Sequence, residues 1–126
     1  MSIWFLAAAV LSFSVCLVHV FLGGKEAARP LLDSSDLKPV EKYTNYYCWH
    51  MVTIIIAALG VMFSVAAFIP SAQELAWAAS VLAALFCGWN IGLYFWKRQE
   101  LRRWYHMPQW VLFLPIAVLG AVGLLV

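Results

Sequence analysis

The chain has 126 residues, 65% hydrophobic and only 11% charged, with a mean hydropathy of +0.87 and a formal net charge of +2. A soluble domain of this size could not hide that much apolar surface, and the one basic cluster, Lys97 to Arg103, reads as a topology signal and lipid-headgroup contact rather than a nucleic-acid site. The solvent this composition fits is the lipid bilayer.

Four apolar runs each reach the roughly 20 residues that cross a hydrocarbon core: Ile3 to Leu22, Tyr46 to Phe68, Leu75 to Trp96, and Pro108 to Val126. None contains Asp, Glu, Lys or Arg. The expectation is an all-α integral membrane protein, an up-down bundle of four transmembrane helices over about 3–22, 40–69, 72–97 and 107–126, forming a single domain. All eight Lys and Arg fall in two connections: Lys25, Arg29, Lys38 and Lys42 in the first, Lys97, Arg98, Arg102 and Arg103 in the third. Four crossings put these on one side, which the positive-inside rule makes cytoplasmic. Both termini then lie outside, and the expected location is a bacterial inner membrane.

The first helix has no basic residue before its apolar run and no cleavage site after it, so it reads as retained and not as a removed signal peptide. It carries a small and polar seam spaced three and four apart: Ala9, Ser12, Cys16, His19 and Gly23. Gly23 and Gly24 are expected to end it as a C-cap. In the loop that follows, Ser35 or Asp36 is placed to cap a second helix with Pro39 in its first turn. That helix opens with Tyr43, Tyr46, Tyr47 and Trp49, an interfacial aromatic belt, and its seam reads Tyr46, His50, Thr53, Ala57, Gly60 and Ser64. In water the inward stripe of a helix would be the apolar one. Here the large residues Ile54, Ile55, Ile56, Val61 and Met62 fill the rest of the circumference, the inversion expected in lipid.

Pro70 closes the second helix, and Ser71-Ala-Gln-Glu74 has the spacing of a capping box for the third. The third helix repeats the seam with Ala76, Ser80, Ala83, Cys87, Asn90 and Tyr94. The fourth is expected to begin near Pro108, with Gln109 in its first turn, a kink at Pro115, and Ala117, Gly120 and Gly123 allowing close approach. A faint internal repeat pairs Cys16-x-x-His19 with Cys87-x-x-Asn90, and the WHM at Trp49 with the YHM at Tyr105. The three cysteines lie within or beside helices with no C-x-x-C pair, which argues against a disulfide framework.

Depth along the helices puts His19, His50 and Asn90 in the cytoplasmic third, with Gln109 near the same surface and Cys16 and Cys87 a turn deeper. If the seams face inward, these form one polar cluster. Interhelical hydrogen bonding that fixes the packing is one reading. Histidines on neighbouring helices also suit haem ligation. Cys16 and His19 on one face, opposite His50 and Cys87, suit a soft metal such as zinc or cuprous copper. In a further reading, His50, Asn90 and Tyr46, with His19 and Gln109 nearby, hold the polar head of an amphipathic, lipid-like molecule whose tail lies between helices. No residue pattern points to a catalytic group.

The layout is similar to that of the MAPEG superfamily of membrane glutathione and eicosanoid enzymes, in size, in helix count and in a long first connection with a short second one. The family's second helix opens with an Arg, an Asn and a Glu spaced for glutathione. In EKYTNYYCWH only Asn45 matches, with Lys42 in place of the arginine and Cys48 in place of the glutamate. The resemblance thus covers topology and not the motif that carries activity. The function expected is an accessory or binding protein that self-associates or docks into a larger membrane complex and holds an amphipathic ligand or metal. The alternative is a small membrane enzyme acting on a lipid-soluble substrate at the cytoplasmic face. Transport is disfavoured, because no Asp, Glu, Lys or Arg lies in any of the four apolar runs.

Overall fold

The computed structural model describes residues 1–98, 100 and 107–126. They form an all-helical bundle. The first span is α1 (Ile3–Val18), which runs without interruption into a π-helical segment (His19–Ala28) and a short α2 (Arg29–Asp33). The others are α3 (Pro39–Phe68), α4 (Gln73–Trp96), preceded by a 3-10 turn over Pro70–Ala72, and α5 (Gln109–Leu125). Three of the spans are long and apolar enough to cross a membrane, and α5 is a shorter apolar helix of 17 residues. Arg102 and Arg103 of the third connection, and Tyr105 and His106 of the repeated motif, lie outside the described residues.

Helices α1 and α3 pack as one hairpin and α4 and α5 as another, and α1–α5 and α3–α4 contacts close the four into a ring. Lipid is as apolar as leucine, so hydrophobic burial cannot drive this packing; close van der Waals fit must. The fit is large into small. Phe5, Ile56, Leu59, Phe63, Phe113 and Ile116 are buried against Ala8, Ala9, Ala76, Ala79, Ala83 and Gly120. Phe5 and Phe63 approach to 6.3 Å between ring centroids near one end, and Phe86 and Phe113 to 5.3 Å nearer the other. Gly120 and Gly123 make this possible: a methyl at Gly120 would meet Ser80 Oγ and the Phe63 ring, and one at Gly123 would lie 2.5 Å from the Phe5 ring.

On α4 the expected seam is the buried one, from Ala76 through Asn90. On α3 it is not. The buried stripe there is Ile56, Leu59, Gly60, Phe63, Ala66 and Ala67; of the expected seam only Gly60 is buried, and His50 is exposed. The small faces of α1 and α4 leave volume that only large α3 side chains fill. The hydroxyls need no interhelical partner either, because Ser12, Ser64, Thr53 and Ser80 each donate to the carbonyl four residues earlier.

Three expected helix ends differ. Gly23 and Gly24 do not cap the first helix: neither has positive φ, and the helix continues to Asp33, where Ser34 turns extended. The glycines lie in the π segment, in which Arg29 N–H donates to Gly24 O, five residues back. This wider turn suits Pro30, whose ring would press on the carbonyl of Glu26 in an α-helix. Neither Ser35 nor Asp36 caps α3; Lys38 is the N-cap, and Glu41 reaches back to its N–H at 3.2 Å. At α4 the N-cap is Ala72, with no side-chain cap from Ser71. Pro115 lies exposed inside an unbroken α5.

At the end where the chain starts, the first hairpin is tied together by the Ser2 N–H, which donates to Ala67 O at 2.9 Å. At the other end it runs on. Helix α3 has 30 residues against 24 in α4, a difference of roughly 9 Å of helix. There α2 lies against the first turns of α3, and Lys42 Nζ donates to Leu32 O at 2.8 Å, satisfying a carbonyl at the C-terminus of α2.

Gly120→Ala should lower stability by about 1–3 kcal/mol, because Phe63 is fully buried and cannot yield. Gly92→Ala, at an exposed site with nothing within 4 Å, should match or exceed the parent. Unfolding midpoints in detergent micelles check both.

Candidate functional site

The polar side chains within the bundle separate into two groups, one in each hairpin. Asn90, on α4, is only 6% exposed. Its Nδ2 donates to Gln109 Oε1 at 3.0 Å, and its Oδ1 accepts the Trp110 backbone N–H at 3.1 Å. Helix α5 begins at Gln109 behind Pro108 and has no cap of its own, so Asn90 supplies from the neighbouring helix the acceptor that α5 lacks. One turn deeper, Cys87 Sγ lies 3.7 Å from Trp110 O. Donor and acceptor of the Asn90 amide are both used in holding α5 onto α4.

In the first hairpin the centre is Trp49 of α3. Its indole stacks on the His19 ring at 4.0 Å between centroids, tilted by 17°, and covers Gly23, where a methyl would lie 2.8 Å from Trp49 Cη2. His19 Nε2 is 3.3 Å from the Trp49 carbonyl, which also accepts the Thr53 hydroxyl at 3.2 Å. A carbonyl only accepts, so Nε2 carries a proton. Cys16 Sγ lies 3.7 Å from Thr53 O, one turn deeper along the same interface.

The hydrogen bonds of the expected cluster fall into two groups. His19 is engaged with Trp49, while Asn90 and Gln109 are engaged with each other and with the start of α5. The proposed metal set divides too, with Cys16 and His19 bonding to α3 carbonyls and Cys87 to an α5 carbonyl. Among the described residues no three His, Cys, Asp or Glu side chains are placed to share a metal ion. The physical reason lies in the helix ends and the packing. Backbone carbonyls at the interhelical faces partner Cys16, His19 and Cys87, and the uncapped start of α5 takes up Asn90 through the Gln109 side chain and the Trp110 N–H.

Tyr46 and His50 do come together, edge to face at 4.6 Å between ring centroids. With Trp49 they form one wall of a cleft of about 420 Å3 whose other wall is Val20, Phe21, Gly24, Lys25, Ala28, Arg29 and Leu32. No α4 or α5 residue lines it; the cleft belongs to the first hairpin, at the end where that hairpin runs on. The opposite wall depends on the π segment. In an α-helix a four-residue step overshoots a full turn by about 40°, so residues 20, 24, 28 and 32 would wind away from one another. Bonding to the fifth residue widens the turn past four, and across the mixed π and α stretch the four-residue series stays on one face.

From the sequence, Lys25 and Arg29 read as topology signals, Gly24 as a helix end and Trp49 as an interfacial anchor. The signal available for the cleft is the series Phe21, Lys25, Arg29 at steps of four beside Val20, Gly24, Ala28, Leu32, which an α-helical period does not collect. The positions matching the MAPEG motif act within the chain: Lys42 bonds Leu32 O, and Asn45 Nδ2 bonds Glu41 O at 2.8 Å. Compared with known proteins, the chain matches no family model, no curated protein and no solved structure.

Asn90→Leu keeps the side-chain volume but leaves Trp110 N–H without its acceptor, and should cost about 1–2 kcal/mol. His19→Ala should be destabilising through loss of the indole stack, about 0.5–1.5 kcal/mol. The two effects should add in the double variant, since they act on separate hairpins, as read by unfolding in micelles.

Proposed function

We propose that this protein is a non-enzymatic binding protein of the membrane that holds an amphipathic, lipid-like molecule in the cleft between the π segment and the start of α3. The observation that carries this reading is the make-up of the cleft, open to one side, with Tyr46, Trp49 and His50 on one wall and apolar and basic residues on the other. Its apolar residues, Val20, Phe21, Ala28 and Leu32, suit the first methylenes of a tail, and Tyr46 and His50 suit a polar head. The same reading puts the Lys25 to Lys42 connection on the cytoplasmic side of a bacterial inner membrane, because the described Lys and Arg residues, Lys25, Arg29, Lys38, Lys42, Lys97 and Arg98, all lie in the first and third connections.

A specific feature also favours self-association or docking into a larger membrane complex. Ala84, Gly88 and Gly92 repeat at steps of four on the outer face of α4, all exposed, and a methyl at either glycine would meet nothing within 4 Å. A Gly-x-x-x-Gly face of this kind lets two helix backbones approach closely. Gly60, by contrast, faces Phe13 inside the chain and has no part in such a contact.

Gly24 offers the direct test of the cleft. It lines the cavity, its φ is not positive, and a methyl there would meet no atom within 4 Å, so a larger side chain enters the cleft without strain. Native mass spectrometry of the purified full chain should show a co-purifying amphiphile that Gly24→Leu loses while the fold is kept. Equal retention in both proteins would sink the proposal. For sidedness, Ser35→Cys in a Cys48→Ser background should react with an impermeant maleimide from the cytoplasmic side only. Gly88→Leu should reduce any oligomer seen in micelles and leave ligand retention unchanged.

A further inference from the structure

We infer that the molecule held in this cleft carries an anionic head, a phosphate or carboxylate gripped by Lys25 and Arg29, an inference that rests on the cleft being a ligand site. Both cations line the cavity, four residues apart on the face that the π segment keeps straight, and no Asp or Glu lines it with them. Neither is neutralised: the one ion pair among the described residues joins Lys97 to Glu100. The carbonyl end of α2, which would bring negative potential to the Leu32 corner of the cavity, is occupied by Lys42 Nζ. Tyr46 and His50, whose side chains can donate through a hydroxyl and a ring N–H, line the facing wall, and no carboxylate lines the cleft between them and the two cations.

A topology signal would need only the two charges, anywhere on the connection. Here they line one open cleft together with aromatic and aliphatic surface, which combines what an anionic amphiphile requires: cations for the head and apolar contact for the chain next to it. The fit of Lys and Arg to oxyanions is general, so the head can come from a membrane lipid or from a smaller free anion. The shared chemistry is the same, and an inorganic competitor separates the two.

The test uses the purified full chain in neutral maltoside micelles, with two probes of equal chain length, a monoacyl phosphatidylglycerol and a monoacyl phosphatidylcholine, read by native mass spectrometry. The parent should retain the glycerol-headed probe about ten-fold more than the choline-headed one. The double variant Lys25→Gln, Arg29→Gln should bring the two level, its helicity by circular dichroism unchanged, since both residues are exposed. Displacement by inorganic phosphate at about ten millimolar would identify the head alone as sufficient; no displacement would identify a lipid held by head and tail together. Equal retention of the two probes by the parent, or a preference that survives the double variant, overturns the anionic head while leaving the cleft as a ligand site if Gly24→Leu still loses both probes. Retention of both probes by Gly24→Leu overturns the cleft itself.

Discussion

The Trp49 indole lies flat on His19 and against the Cα of Gly23, and its backbone carbonyl takes the His19 N–H. This contact decides how the first hairpin continues beyond the second. A stacked aromatic pair contributes about 0.5–1.5 kcal/mol beyond its buried area, and a hydrogen bond adds a similar amount. More important is where the contact is made. Within one turn of the start of the π segment, it holds the widened helix against α3 and so sets the face on which Gly24, Lys25, Ala28 and Arg29 emerge. Gly23 is required because no side chain fits beneath the indole.

The rest of the bundle follows a different constraint. With lipid outside, the four spans gain little from hiding apolar atoms, and backbone polar groups have no water to turn to. The chain meets the first condition by large-into-small packing, Phe63 and Phe5 over Gly120 and Gly123. It meets the second by giving nearly every polar side chain a backbone partner. The serine and threonine hydroxyls bond their own helices, Cys16 and His19 bond α3 carbonyls, and Asn90 takes up a helix start that Pro108 leaves uncapped. Among the described residues no buried side-chain nitrogen or oxygen lacks a partner. The polar groups inside the bundle are thus used in holding its helices together.

A further group of polar side chains lies at the extended end of the first hairpin. Two cations, a phenol and an imidazole surround aliphatic surface there, at the level where the helices leave α4 and α5 behind. The outer face of α4 is a separate open surface, with Trp89 72% exposed beside Gly88 and Gly92. The cleft and the open helix face sit on different hairpins, so one can be altered without the other.

Composition and the spacing of four charge-free runs were enough to determine the class of this protein and its helical bundle, because crossing a hydrocarbon core admits few alternatives. The α4 seam was legible as well, since small and polar residues at Ala76, Ser80, Ala83, Cys87 and Asn90 leave one face for neighbours to approach. Which α3 face turned inward was not legible. Ile56, Leu59 and Phe63 are as apolar as the residues that face lipid, and only the shapes of the facing helices select among them. Nor does a pair of glycines before a proline state whether a helix stops or widens. Trp49, some 26 positions further on, settles that by lying on Gly23. The candidate site follows the same division: Tyr46 and His50 stand out in the sequence, whereas Lys25 and Arg29 join them only through a π-helical face that tertiary contact maintains.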